Sequence, residues 1–357
     1  MTSAESLLIN KVLNDALERQ ATDIHLTVGN YPVMRVAGNL VVMTDEQVLN
    51  PELVTRLVET FLSEADRQIL EREREVTVVY NWADRARFRI QVFYQKGYPA
   101  LSLRLVPQHL PTPKDLGLSS VLINTTSQAR GLVLIVGPYK SGRTTSAFSL
   151  LDYVNQQQGK HILTLEKPIE YLMVNDKSII EQREVGRDVP SFNQGLKFAA
   201  EEDFDIILVG DLQEDGQEDA VIQTVESGKL VYLVMSAQSV ITALEEFVSR
   251  FPQHKAAYAR EALSDNLLVA TSQRLVPAVD GSMALAYEIV INSSSVKNNI
   301  KEGTFYQLNN IMLTSRQEGM ISLDRQLADL VKAGKIAPNV ATNYAVNQGA
   351  FKQMIGH

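Results

Sequence analysis

The chain has no cysteine among its 357 residues. That absence removes disulfide frameworks, Cys-ligated zinc, iron–sulfur clusters and thiol catalysis together. It also lacks any continuous apolar run of about 18 residues, so no segment reads as a direct membrane span. The opening MTSAESLLINK has no basic start followed by an apolar core, the pattern of a secretory signal. Basic residues are in the minority, 34 against 42 acidic, for a formal charge of −8. With no basic stripe to offset that charge, nucleic acid is not an expected partner. Trp82 and the scattered tyrosines lack the basic interleaving of a single-strand surface. What remains is 45% hydrophobic and long enough for two or three packed cores. A cytoplasmic protein is expected.

The first hundred residues mix two periodicities. Leu7, Leu8, Val12, Leu13, Ala16 and Leu17 recur at helical spacing behind Ser3 or Ser6 as cap. Residues 23–27, 32–36 and 40–43 read as short strands, punctuated by Gly29-Asn30 and Gly38-Asn39. Helical patterns follow over 51–62 and 64–74, then alternating strands over 77–82, 86–94 and 100–106 with a turn at Gly97. This is an α+β domain over residues 1–106. Pro107, Pro111 and Pro113 then favour an extended linker over 107–117.

From residue 118 to 357 the pattern changes to a second domain. The run LVLIV at 132–136 is continuously apolar, as in a strand buried on both faces of a parallel sheet. Similar runs at 162–165, 206–209 and 230–235 alternate with helical stretches, which implies a doubly wound α/β fold. Asp215 and Glu218 have capping-box spacing for a helix running to Ser227 and closing at Gly228. After Pro277 one further strand is expected at 283–291. The rest is helical, with Leu323, Leu327, Leu330 and Val331 on one face.

Directly after LVLIV comes Gly137-Pro138-Tyr139-Lys140-Ser141-Gly142-Arg143-Thr144. This is the G-x-x-x-x-G-K-[ST] spacing between a strand and a helix, with Arg143 where the motif has lysine. Two glycines let backbone N–H groups curl round a polyphosphate, the helix start adds partial positive charge, and Thr144 can reach Mg²⁺. A guanidinium also binds phosphate, but it is broad and planar where an ammonium is compact. The blander reading of the loop alone is a glycine-rich strand–helix turn with an arginine at its lip.

Further landmarks run nearly end to end. They include Ala21-Thr22-Asp23-Ile24-His25-Leu26, Arg35-Val36-Ala37-Gly38, Arg87-Phe88-Arg89 and Leu103-Arg104. Next come Leu163-Thr164-Leu165-Glu166-Lys167-Pro168-Ile169-Glu170-Tyr171, Gln182-Arg183-Glu184-Val185, residues 206–211 and Ser272-Gln273-Arg274-Leu275-Val276-Pro277. In this order they resemble the pilus-retraction ATPases of type IV pili, the PilT/PilU group within the type II/IV secretion motor superfamily. The resemblance implies an N-terminal PAS-like domain, then a RecA-like P-loop motor domain with a helical C-terminal region. It implies ATP and Mg²⁺ held by Gly137, Pro138, Ser141, Gly142, Arg143, Thr144 and Thr145, with Thr144 on the metal and Arg89 and Arg104 clamping phosphates. Asp211 and Glu166 fall at the catalytic positions. The assembly implied is a homo-hexamer, or a mixed ring with a related motor ATPase. Such a ring would work against the pilus inner-membrane platform and lie peripheral to that membrane.

Several chemistry-bearing positions depart from that family. Lys167 replaces the aspartate of the Glu-Asp-Pro-Ile-Glu box, and Asp211 replaces a glutamate at the end of the Walker B strand. Leu212-Gln213-Glu214 stand where an arginine followed by an aspartate is expected, and Glu201 where an arginine is. Lys229 and Ser236 occupy the two His-box positions, and the five histidines (His25, His109, His161, His254, His357) lie elsewhere. Residues 201–219 hold nine acidic side chains and no basic one, which repels ATP unless Mg²⁺ or Arg143 offsets it. Within 215–219 a solvated acidic face is the expected reading. Misplacing one reacting group by about 1 Å, or losing one charge-stabilising donor, costs on the order of 10²-fold each. Two readings therefore stand. The first is a motor-family subunit with impaired hydrolysis, acting as an accessory or regulator beside an active paralogue. The second is an active hexameric ATPase powering pilus retraction or secretion. Asp23 and His25 share a strand face without an evident third ligand and read as structural.

Overall fold

The computed structural model describes residues 3–83, 85–106 and 110–356, with side chains from Leu7 onward. The expected cap at Ser3 or Ser6, residues 107–109 of the linker, and His357 lie outside that description. The chain divides into two units, Met1–His109 with Pro168–Leu172, and Leu110–Lys167 with Met173–His357.

In the first unit, helices α1 (Ser3–Glu18), α2 (Pro51–Phe61) and α3 (Glu64–Glu73) accompany six strands. These are β1 (Asp23–Thr27), β2 (Val33–Val36), β3 (Asn39–Val42), β4 (Glu75–Trp82), β5 (Ala86–Gln95) and β6 (Tyr98–Val106). They form one antiparallel sheet in the order β3-β2-β1-β6-β5-β4. The apolar positions of α1 and α2 meet Ile24, Met34, Phe88 and Ile90 in a common core. Asn50 caps α2 by accepting the Leu53 N–H at 2.8 Å, and Ser63 with Asp66 forms a reciprocal box at α3. Lys96 and Gly97, both at positive φ, make the two-residue hairpin between Gln95 and Tyr98.

The second unit has seven strands: β7 (Gly131–Gly137), β8 (His161–Glu166), β9 (Ile179–Glu184), β10 (Ile206–Val209), β11 (Leu230–Ser236), β12 (Leu267–Pro277) and β13 (Met283–Ile291). Their order is β13-β12-β7-β11-β10-β8-β9, parallel throughout except for β13. Helices α4 (Ser120–Asn124), α5 (Arg143–Gln157), α6 (Phe192–Glu201), α7 (Gln217–Glu226), α8 (Val240–Ser249) and α9 (Ala256–Asn266) accompany the sheet. The chain closes with α10 (Ser294–Glu302), α11 (Leu308–Thr314), α12 (Leu323–Lys332), α13 (Pro338–Tyr344) and α14 (Gln348–Ile355). Leu323, Leu327 and Leu330 of α12 are buried with Phe351, Val276 and Ala286. Among the described residues no helix is long and apolar enough to cross a membrane.

Three expectations are corrected here. Strands β9 and β12 were not anticipated, because polar residues break their apolar runs. β9 is an edge strand with charged alternate positions, and β12 carries Thr271, Ser272, Gln273 and Arg274. Residues 112–118 are not extended: Thr112 and Asp115 cap each other's N–H groups, both at 3.2 Å, and Leu118 N–H closes on Pro113 O at 2.9 Å. Finally, Asp215 and Glu218 make no capping box. Gly216 precedes α7, and the Gln217 amide oxygen folds back to accept N–H from Gln213 and Glu214.

Candidate functional site

Strand β7 is buried along its whole length and ends at Gly137, where the loop begins. A Cβ there would lie 2.3 Å from Ser141 Oγ and 2.6 Å from the Gln273 carbonyl oxygen, so only glycine lets the loop close against β12. Gly142 sits at φ +85° as the residue that opens α5. Gln273, 1% exposed, donates from Nε2 to Ser141 O at 2.9 Å and to Ser146 Oγ at 3.1 Å. It therefore fixes both the loop and the first turn of the helix. Ser141 Oγ is buried and has no partner, and Thr144 and Thr145 are half-buried on that same turn. A helix start, a glycine-lined curl and an orphaned buried hydroxyl suit a polyphosphate.

The neighbouring strands deliver their C-terminal ends to the same sheet edge, where ligands bind in such folds. Ser236 of β11 is in register with Gly137, and Asp211 follows β10 by two residues. Asp211 Oδ1 accepts the Ser236 N–H at 3.1 Å, and Oδ2 accepts the Ser236 hydroxyl at 2.8 Å. Arg143 Nη1 donates to that hydroxyl oxygen at 2.6 Å and stands 3.9 Å from Asp211 Oδ2. The three departures from the family pattern thus complement one another. Burial pulls the Arg143 pKa below its usual value, and Asp211 opposes the shift. At the end of β8, buried Glu166 Oε1 accepts from Thr164 Oγ1 at 2.6 Å and Gln182 Nε2 at 3.1 Å. Lys167 beyond it is exposed.

The structure places Gly137, Pro138, Ser141 and Gly142 in one loop, Arg143, Thr144 and Thr145 on the first turn of α5, and Asp211 beside Arg143. Arg89 and Arg104 are engaged within the first unit, Arg89 with Glu170 and Arg104 Nε with Asp23 Oδ1 at 3.3 Å. Arg87 Nη2 donates to Ile169 O at 2.7 Å. Asp23 is buried by that pairing, and His25 Nδ1 lies 3.3 Å from Ser102 Oγ, so both have structural partners. Lys229 must be removed from the candidate site. It precedes β11, at the end opposite Ser236, and its ammonium donates to Glu202 O at 2.6 Å. The acidic run is not a simple solvated face either. Glu218 is 1% exposed and pairs with Arg250 at 2.9 Å, and Asp219 pairs with Lys255 at 2.8 Å. Glu214 accepts the Phe192 and Asn193 N–H groups at the start of α6.

Gln273, Thr164 and Gln182 were quoted in the sequence only as landmarks, and Ser236 only as a lost histidine. The signal for Gln273 was available: an amide side chain within a buried strand needs partners, and a glycine loop has bare carbonyls. Magnesium is a different matter. It takes oxygen ligands, usually one or two carboxylates together with waters and substrate phosphates. Both Asp211 oxygens already accept protein donors, and a guanidinium stands beside one of them. Among the described residues no group of three or more His, Asp or Glu side chains could hold a metal ion. The loop fits a polyphosphate; at Asp211 the Arg143 guanidinium, 3.9 Å from Oδ2, stands against a dication.

Comparison with known proteins identifies relatives of the whole chain. Residues 2–319 match the family described as type II/IV secretion system protein. The chain is 32% identical over 329 residues to the type IV pilus retractation ATPase PilT of Pseudomonas aeruginosa, spanning 92% of this chain and 95% of that protein. It is 30% identical over 346 residues to the type IV pilus ATPase PilU of the same organism, spanning 97% and 90%. A crystal structure of the pilus retraction motor PilT with bound ADP matches with a TM-score of 0.84 at 34% identity, over 96% of this chain and 98% of that one.

Proposed function

Because the chain belongs to the type II/IV secretion system protein family, we propose that it is a pilus-retraction-type subunit that binds nucleotide but hydrolyses ATP poorly. It acts as an accessory or regulatory member beside an active paralogue, in a homo-hexamer or mixed ring on the cytoplasmic side of the inner-membrane pilus platform. The retained loop, with its two glycines, Ser141 and Thr144, supports the nucleotide part of this reading. The impairment rests on one observation. Asp211, the carboxylate at the Walker B position, is engaged by Ser236 and neighboured by Arg143. A carboxylate so engaged, one methylene shorter than glutamate, is poorly placed to orient an attacking water. Phosphoryl transfer depends almost entirely on positioning and charge stabilisation, so such a change should fall on the chemical step.

A steady-state phosphate-release assay on the full chain tests this. The expected turnover lies well below about 1 s⁻¹, the lower end of ordinary enzymes. Turnover at or above that rate would favour the active retraction ATPase, a reading supported by the intact loop and the buried, hydrogen-bonded Glu166. Millimolar ATP should raise the melting temperature only slightly, because stabilisation follows RT ln(1 + [L]/Kd) and weak binding keeps that ratio small.

A further inference from the structure

We propose that the loop over residues 137–145 takes its nucleoside polyphosphate without magnesium, and that Asp211 competes with the ligand for Arg143. The proposal rests on the nucleotide reading above and deepens it. In a metal-centred site the carboxylate beside the loop must offer lone pairs to the ion or to its water shell. Here Oδ1 accepts the Ser236 N–H and Oδ2 the Ser236 hydroxyl, so each oxygen keeps one further acceptor site. A dication brought to that carboxylate would meet the Arg143 guanidinium, 3.9 Å from Oδ2. Like charges at that range repel.

The guanidinium is held chiefly through a hydroxyl. Its hydrogen bond at 2.6 Å is to Ser236 Oγ, and that hydroxyl in turn donates to Asp211 Oδ2 at 2.8 Å. A phosphate is a stronger acceptor than a serine hydroxyl, and its paired oxygens match the fork of an arginine. Asp211 is half-exposed and Ser236 exposed, so an arriving phosphate can reach the cluster. On this arrangement Arg143 supplies the positive charge that magnesium supplies elsewhere, and Asp211 draws that charge away from the ligand.

The two roles for Asp211 predict opposite signs. If it were a metal-site carboxylate, Asp211→Asn would weaken nucleotide binding. As a competitor for Arg143, it should do the reverse, since the substitution removes the negative charge that draws the guanidinium and repels the phosphates. The experiment is calorimetric titration of the full chain with ADP, at constant ionic strength, in EDTA and in excess MgCl₂. We expect the two wild-type Kd values to agree within about threefold, and Asp211→Asn to tighten binding in EDTA by about threefold or more. Ser236→Ala, which deletes the bridging hydroxyl and keeps the carboxylate, should tighten binding in the same direction. It serves as the readout if Asp211→Asn melts abnormally. A gain of about tenfold or more on adding magnesium, with weaker binding by Asp211→Asn, overturns the proposal and leaves the nucleotide reading standing. No ADP binding by wild type or either variant, under both conditions, overturns the proposal and the nucleotide reading together.

Discussion

At the scale of single residues, Arg143, Asp211 and Ser236 have to be read as a set. A lysine in place of Arg143 restores a compact cation, but Ser236 still donates twice to Asp211, and Lys167 still stands next to Glu166. Arg143→Lys alone should therefore raise ATP turnover by less than about tenfold, with phosphate release as the measure. The informative comparison combines Arg143→Lys, Lys167→Asp, Asp211→Glu and Ser236→His. Lys229 has no place in that set, because it lies at the far end of β11. A gain of about 10²-fold or more from Arg143→Lys by itself would assign the defect to that residue alone.

At the scale of elements, β12 and β13 hold the site's loops from behind. Gln273 secures the phosphate loop, and the next residue, Arg274, donates to Gln238 O in the connection from β11 to α8. Buried Glu288 of β13 accepts the Val240 N–H at 2.6 Å, at the first turn of α8. Burial pushes the Glu288 pKa above the usual 4.5, against the Val240 N–H and Arg274 and with help from Asp324. The sign follows from proton binding. Below pH 4.5 Glu288 is protonated in both states, and between 4.5 and its raised native value only the folded state keeps the proton. Over that window stability falls as pH rises, and above it the penalty stays constant. Glu288→Gln keeps an acceptor for Val240 and removes the titration. Its melting temperature relative to wild type should rise from pH 4.5 up through the window and then level off. A constant difference over that range would show that Glu288 does not titrate there.

At the scale of the whole chain, the composition shift between residues 106 and 118 leads us to expect two separable folding units. Residues 112–118 are folded, where the proline spacing suggests an extended segment. The Thr112–Asp115 turn is self-capped, and Ser149 Oγ donates to Pro111 O at 2.6 Å, which protects residues 111–118. Limited digestion with proteinase K should cut within about residues 107–110 and leave two resistant fragments. A resistant fragment that spans this segment would count against two independent units.

Local pattern alone determined most of the architecture. The continuous apolar runs located the parallel strands, and alternation located the antiparallel ones. Glycine spacing located the phosphate loop, because only that residue permits the close approach of the loop to β12. Long-range pairing decided the rest. β12 was hidden because its polar side chains find partners across the fold in Ser141, Ser146 and Gln238, residues about 130 or about 36 positions away. The fate of Lys229 and Ser236 likewise followed from register, since residues flanking one strand stand at its opposite ends. The sequence counted Arg143, Asp211 and Ser236 as separate losses. Only the tertiary structure joins them, because the ends of β7, β10 and β11 meet at one edge and let a guanidinium, a hydroxyl and a carboxylate satisfy one another.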